Sequence, residues 1–408
     1  MGKVRNFLRA RRLTRDALLL CFSAFFADLG YQGVAALFPL YIVFELHKPV
    51  YWYGLITAIA FGGGSLFAYV GGLIGDRFDK KYVSIAGNAF IPLLAFSGLA
   101  HVLWLSALLF VLGWWARYFR TPARRALLVN VTPPQERAMA FGVLHALDIA
   151  GGMFSALLAL LLLVLRVPIG VIMLWATPPL LVSTGLLFFV GRKELYSAQT
   201  SLDPAPSGAP SPGSEDRGLL VVLLIAASLY GFSFYNLGFP ILTAASGHPA
   251  ASGYALGVLA YVIYLGVSAV SGYALGAQRG SPLRSLWLFG YLPSALGSGL
   301  IGLSVLFHLN GLAFYLSLAI LGAGMGGVET FEPTLVSSVV GGRTLSRSMG
   351  FLSVSRSVGQ FASNLVMGLL LSLSPSLPYF YAFGSALLAT LVLGAAYSKA
   401  KKSGHQPA

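Results

Sequence analysis

Cysteine is nearly absent. Cys21 is the single one in 408 residues, which excludes internal disulfides and cysteine-based metal clusters. Acid is scarce too, with 13 Asp and Glu against 27 Lys and Arg and a formal net charge of +14. The six histidines (His47, His101, His145, His248, His308 and His405) are scattered, and only His145 falls well inside a predicted helix. The chain has no His-x-x-x-His pair, no Gly-x-Ser-x-Gly elbow and no phosphate-cradling loop. An intramembrane enzyme would need such grouped ligands or nucleophiles, so no catalytic residue, metal site or cofactor is expected. The stretch 3–15 is basic, but no small-residue cleavage site follows the apolar stretch after it, so it is not read as a removable signal.

Apolar sequence dominates instead. Hydrophobic residues make up 57% and charged residues 10% of the chain, and the mean hydropathy is +0.78. Runs of about 20 apolar residues, each enough to cross the hydrocarbon of a bilayer, recur over 16–44, 52–74, 82–100, 102–120, 137–165 and 168–190. Six more follow over 218–243, 253–275, 283–307, 311–339, 348–373 and 378–397. The fold class expected is an all-α membrane protein with twelve transmembrane helices. All but Lys48 and Arg166 of the 27 lysines and arginines fall on one side of that plan or within the near half of its helices. Positive charge marks the cytoplasmic side, so both termini are expected there, and the basic balance speaks for a membrane rather than for nucleic acid.

A Pro/Ser/Gly-rich linker over 192–217 divides the chain near its midpoint. It separates a six-helix half, 1–191, from a second half, 218–398, with a short tail over 399–408. The halves read as repeats. Gly30-Tyr31-Gln32-Gly33 to Pro39-Leu40 in helix 1 recurs as Gly231-Phe232-Ser233-Phe234 to Pro240-Ile241 in helix 7. Gly142 to Gly152 in helix 5 recurs as Gly350 to Gln360 in helix 11. Two parallel six-helix repeats are a transporter plan, with substrate handled between the halves near the midplane. Pro39 and Pro240, at matching positions, are expected to kink or break helices 1 and 7.

Between helices 2 and 3 stands Gly-Gly-Leu-Ile-Gly-Asp-Arg-Phe-Asp-Lys-Lys-Tyr, residues 71–82. Its charges alone suit a basic cytoplasmic loop equally well. The pattern, however, closely resembles the signature loop of the major facilitator superfamily, roughly Gly-x-Leu-x-Asp-Arg-x-Gly-Arg-Arg. Gly72, Asp76, Arg77, Lys80 and Lys81 match, while Asp79 replaces the second glycine and Ile74 the leucine. The second copy, Gly276-Ala277-Gln278-Arg279, has lost its aspartate. Arg120-Thr121-Pro122-Ala123-Arg124-Arg125-Ala126-Leu127, then Ala140-Phe141-Gly142 and Leu147-Asp148, resembles a prokaryotic drug/proton-antiporter-like subgroup. That subgroup tends to carry an aspartate at the Asp28 position with a glutamate four residues on. Here that residue is Gln32, and Arg125 stands where the subgroup has aspartate. The resemblance implies that helices 1, 4, 7 and 10 line the cavity. It also implies that Asp76 accepts from the N-terminal amides of helix 11 to hold the cytoplasmic side shut, and that Arg77 pairs nearby.

Asp28, Asp148, Glu329 and Glu332 lie inside predicted membrane segments, where a carboxylate costs about 2.5–3.5 kcal/mol and requires a partner, a watery cavity or a proton. Each suits either a packing ion pair or function. Asp28, Asp148 and Arg356 fall about 15–18 Å from the cytoplasmic ends of their helices, near mid-membrane. No contact between Asp148 and Arg356 is expected. Asp28, with no cation within a helical turn, is the expected proton carrier, and Asp148 and Glu329 are further coupling candidates. Nearer the cytoplasm, Arg117, Arg120 and Arg124 share one face of helix 4, and Glu329 and Glu332 share one face of helix 10. Opposed at matching depths, they suggest a gate, although Arg124 and Arg125 also suit the headgroup level.

The candidate substrate cavity comprises Asp28, Tyr31, Gln32, Arg117, Arg120, Tyr235, Asn236, Glu329 and Arg356. The candidate gate comprises Gly72, Asp76, Arg77, Lys80, Lys81, Arg124 and Glu332. The aromatic stripes of helices 1 and 7 serve packing more often than binding, but beside a carboxylate they suit lipophilic or cationic ligands. The expectation is a monomeric secondary active transporter of the inner or plasma membrane, moving a small molecule by alternating access. Its driving force would be the proton gradient and its cargo drug-like or metabolite compounds for export. Proton-coupled uptake of an anionic or polar nutrient and lipid flipping are the alternatives.

Overall fold

The computed structural model describes residues 13–133, 136–191, 214–276, 281–339 and 345–402. Most of the linker expected over 192–217, residues 277–279 of the second signature copy and the end of the tail lie outside them. The described chain is helical throughout. We number the helices α1 Arg15–Glu45, α2 Val50–Arg77, α3 Lys80–Leu99, α4 Leu103–Val131, α5 Arg137–Val164 and α6 Ile169–Phe188. The second series is α7a Ser214–Gly231, α7b Gly238–Ala245, α8 Ala250–Gly276, α9 Pro282–Leu306, α10 Gly311–Val339, α11 Leu345–Leu373 and α12 Leu377–Lys402.

Among the described residues, 9 helical stretches are long and apolar enough to cross a membrane. The others fall short for local reasons. α4 carries Arg117, Arg120, Arg124 and Arg125, α11 is rich in serine and carries Arg356, and α7 is interrupted between its two parts. Large apolar side chains such as Leu66, Tyr69, Trp104, Phe154, Leu161, Val270, Tyr273 and Leu391 point outward. A soluble protein rarely exposes such continuous apolar surface, whereas lipid tails solvate it.

Local sequence sets the helix ends. Thr14 accepts from the amide of Ala17 at the start of α1, and its hydroxyl donates to the carbonyl of Val131 at the end of α4. Pro39 lacks the amide the ladder needs, and the helix answers with a π segment over Tyr41–Glu45. Pro240 lies in α7b, just past the break. α4 differs from the sequence expectation. It was expected to stop near 120, yet it runs through Pro122 to Val131, with the Thr121 hydroxyl bonded to the Arg117 carbonyl at 2.7 Å.

By contact, the chain forms two compact units. Unit 1 holds residues 1–37 and 66–204, and unit 2 holds residues 38–65 and 205–408. In unit 1, Leu20, Cys21 and Ala24 of α1 pack with Ile85, Leu127, Leu128, Leu144 and Leu187 from α3, α4, α5 and α6. In unit 2, Leu223, Ala226 and Tyr230 of α7a pack with Leu286, Tyr291, Met325, Val328, Ala389 and Leu393 from α9, α10 and α12. This grouping differs from the division by sequence repeat, because the outer half of α2 packs inside unit 2. Gly54 there lies against the backbone of α11, where an added Cβ would sit 2.7 Å from the Asn364 carbonyl oxygen and 2.7 Å from the Cα of Gly368.

Candidate functional site

In unit 1 the site grows from one face of α1. Spacings of three and four bring Tyr31 and Gln32 back over Asp28, which is only 4% exposed. The Tyr31 hydroxyl donates to Asp28 Oδ1 at 2.5 Å and Gln32 Nε2 donates to the same oxygen at 3.1 Å. Close packing with α5 holds this face. The Gly33 amide donates to Ser155 Oγ at 2.7 Å, and Gly151 leaves no room for a side chain beside the Phe25 carbonyl.

α4 supplies the cations. The Arg117 guanidinium lies over the rings of Tyr31, Trp114 and Tyr118, 4.9, 5.2 and 5.6 Å from their centroids. Tyr31 and Trp114 themselves meet edge to face at 5.5 Å. Arg120 is buried and donates to Asn88 Oδ1 on α3, and Asn88 donates onward to Ser183 and Thr184 of α6. Arg120 is thus turned toward the α3–α6 contact. Arg124 is also buried and faces Asp148 of α5 at 3.7 Å, while Arg125 is exposed. Headgroup placement therefore fits Arg125 and fails for Arg124.

Unit 2 holds a second charged cluster. Arg356 Nη2 donates to Glu329 Oε1 at 2.8 Å, and Arg356 Nη1 lies 3.3 Å from Glu332 Oε2. Glu332 is fully buried, and its other oxygen accepts from the Tyr291 hydroxyl at 2.6 Å. Tyr291 stacks flat on Tyr230 at 4.4 Å, and Arg356 lies 4.9 Å over Phe234. Each of these ion-paired residues of α4, α5, α10 and α11 thus has a partner within its own unit. Arg124 holds Asp148, and Glu329 and Glu332 hold Arg356.

Tyr235 and Asn236, expected in the cavity, both have structural partners. Tyr235 meets Ser298 at 3.4 Å and the ring of Tyr379 at 6.0 Å. Asn236 sits in the α7 break. Its amide donates to Asn364 Oδ1 at 2.9 Å, and its own Oδ1 accepts from the Tyr53 hydroxyl at 2.5 Å and the Gly238 amide at 2.9 Å.

The signature loop is more anchored than its charges suggest. Asp76 and Arg77 are exposed, and the expected partner of Asp76 at the start of α11 adjoins residues 340–344, outside those described. Asp79, the departure from the motif, caps α3 by accepting from the Lys81 amide at 2.8 Å. Lys80 opens α3 beside it. Lys81 is buried, and its Nζ caps the end of α6 by donating to the carbonyls of Phe188 at 2.7 Å and Val190 at 2.6 Å. A Cβ added at Gly72 would meet the Pro122 side chain at an ordinary 3.7 Å, whereas its neighbour Gly71 lies against the Phe119 backbone of α4.

Sequence reasoning missed Asn88, Trp114, Tyr53 and Tyr291. A lone asparagine inside an apolar run was the available signal for Asn88, and the others are aromatics among many. A cavity of about 730 Å³ also opens in unit 2, lined by Thr243, His248, Ser304, His308 and Ser376 among others. Neither Arg356 nor a carboxylate lines it. No metal-ligand grouping occurs among the described residues.

An all-helical membrane chain with buried charges inside its helices is the build of a polytopic transporter. The Major Facilitator Superfamily model matches residues 20–363, and the chain belongs to that family. It is similar to multidrug resistance protein MdtH of Proteus mirabilis (strain HI4320), 33% identical over 134 residues, which cover 31% of this chain and 32% of the relative. It is similar to MdtH of Photorhabdus laumondii subsp. laumondii at 33% over 161 residues, 37% of each chain. The match thus spans about a third of the length of these relatives. Among solved structures, a POT family transporter in complex with a thioalcohol-conjugated peptide superposes with a TM-score of 0.73 at 14% identity. That superposition covers 94% of this chain and 96% of the other. A D-xylose–proton symporter superposes with a TM-score of 0.73 at 12% identity, covering 92% and 96%. At these identities the likeness shows the fold alone.

Proposed function

We propose that this transporter of the major facilitator superfamily couples substrate movement to protons through Asp28 and exports drug-like or metabolite compounds from the cytoplasm. The bonding of Asp28 carries the reading. Its hydrogen bonds come from the uncharged donors Tyr31 and Gln32. A proton can therefore join or leave without breaking an ion pair, unlike at Asp148, which faces Arg124, or at Glu329 and Glu332, which share Arg356. This ranks Asp28 first among the coupling candidates. Half-buried aromatic surface from Phe25 and Phe26, one turn away on the same helix, stands nearby for a lipophilic cargo. Export draws support from the similarity to the MdtH proteins. The protein would act as a monomer in the inner membrane, with the proton gradient as driving force and no cofactor.

The test is dye and metabolite flux in proteoliposomes with and without an imposed pH gradient, comparing wild type with Asp28→Asn. Flux that follows the gradient in wild type and ignores it in the variant supports the reading. Flux indifferent to the gradient in wild type refutes it. The second reading, proton-coupled uptake of an anionic nutrient, is favoured by one observation: among the described residues no carboxylate lies at ion-pair distance from Arg117.

A further inference from the structure

α4 places Arg117, Arg120, Arg124 and the exposed Arg125 in unit 1, and of the first three only Arg124 meets a carboxylate at ion-pair distance among the described residues. Arg124 faces Asp148 at 3.7 Å. Arg120 donates to the neutral amide oxygen of Asn88. Arg117 lies against the rings of Tyr31, Trp114 and Tyr118, and its Nε is buried without a hydrogen-bond partner. Among the described residues no carboxylate reaches Arg117 at ion-pair distance. Asp28 acts on it through space, with Oδ1 already taken by Tyr31 and Gln32. Even with Asp28 and Asp148 both ionised, the cluster holds one positive charge in excess.

We propose that Arg117 binds an anionic group, a carboxylate or sulfonate, on the aromatic or lipophilic molecule the protein carries. The inference rests on reading the α1–α4 cluster as a place where the transported molecule is held. Aromatic rings cover the faces of the guanidinium, but its N–H donors lie in the guanidinium plane, where a planar carboxylate can meet them two at a time. Tyr31 and Trp114 are buried, and the half-buried Tyr118 ring is the one that offers apolar surface to an attached aromatic group. A cationic group would instead meet the excess positive charge head on.

The proposal also fixes the sign of any coupling. The charged groups acting on Asp28 are Arg117 and Arg120 of α4 and Asp148 of α5, with Tyr31 bonded to it from its own helix. The Asp28 carboxylate and a bound anion draw on the same positive field, so a proton on Asp28 strengthens anion binding. That is the sign of cotransport, so an anionic cargo at Arg117 goes with the uptake reading, and benzoate binding no tighter than benzamide leaves the export reading in place.

The experiment uses the full chain in lipid nanodiscs and three radiolabelled probes: benzoate, benzamide and benzamidinium. They share one ring and nearly one shape and differ in charge. Benzoate is expected to bind most tightly to wild type. Arg117→Gln weakens it about tenfold or more, the scale of a lost charge-assisted hydrogen-bond pair, and leaves benzamide unchanged. Arg117→Lys, which keeps the charge but loses the planar fork, falls between. Benzoate binding no tighter than benzamide, or unaffected by Arg117→Gln, overturns the proposal. If the glutamine variant does not fold, the comparison of probes on wild type decides alone. Binding is read without a gradient, so failed charge selectivity is distinguishable from failed proton coupling.

Discussion

Adjacent glycines of the signature loop should respond oppositely to alanine. An added Cβ on Gly71 would fall on the Phe119 carbonyl, with the Phe119 Cα 2.9 Å away. These are backbone atoms of α4 and cannot rotate aside, so α2 and α4 must separate. Overpacking of this kind costs about 1–3 kcal/mol. The shift would fall on the stretch of α4 that carries Arg117 and Arg120. Gly72 matches the family motif, yet its Cβ would find only the Pro122 side chain, at 3.7 Å, an ordinary contact. Alanine there gains about 0.5–1 kcal/mol of helix propensity at no steric cost. Thermal unfolding of detergent-solubilised Gly71→Ala and Gly72→Ala should therefore separate them by about 2 kcal/mol or more, with Gly72→Ala at or above wild type. Equal destabilisation of the two would refute the packing argument.

Removing the Arg356 partner of a fully buried carboxylate should be costly: Arg356→Met loses about 3–5 kcal/mol in thermal unfolding. Adding Glu332→Gln, which keeps an acceptor for Tyr291, should restore most of it, and a double variant as weak as the single one would contradict the pairing. Lys81→Met uncaps α6 and should cost about 2 kcal/mol in the same assay, whereas an unchanged melting midpoint would remove the cap from the account. Tyr53→Phe deletes the bond to Asn236 and leaves the Gly238 amide on the same oxygen. On a Cys21→Ala background, a cysteine at the buried Thr57 should then be alkylated several times faster, and an unchanged rate would mean that the hydroxyl does not hold the outer half of α2.

The fold was largely legible because a bilayer imposes its signature on every helix. Apolar length followed from that constraint, and the 71–82 loop pointed to the family. The bonds of Tyr31 and Gln32 to Asp28 lay within reach of the sequence, since residues three and four apart on one helix meet, although the sequence reading groups the three only as cavity candidates. Partners on other helices were not legible. Counting residues along a helix gives depth and face, but not which neighbour answers. Arg124 therefore looked like a headgroup residue until Asp148 was seen beside it. Arg120 read as a cavity cation because nothing in the sequence joins it to Asn88. The motif pointed to Gly72, while the close crossing falls one residue earlier, where α2 meets the Phe119 carbonyl. Charge invited a gate at Lys81. Its amino group instead ends a helix, a role set by the position of α6 and not by any pattern in the loop.

The central claim is that Asp28 carries the coupling proton while the ion-paired residues Arg124, Asp148, Glu329, Glu332 and Arg356 hold the helices. The measurement that reaches it most directly is a pair of assays on Asp28→Asn in proteoliposomes loaded with a transported dye. One is exchange of labelled for unlabelled dye without a gradient, and the other is net movement driven by a pH gradient. The account predicts that exchange survives, because binding and alternation are intact, while gradient-driven movement is lost. Gradient-driven movement equal to wild type would contradict it and return the coupling role to Asp148 or Glu329.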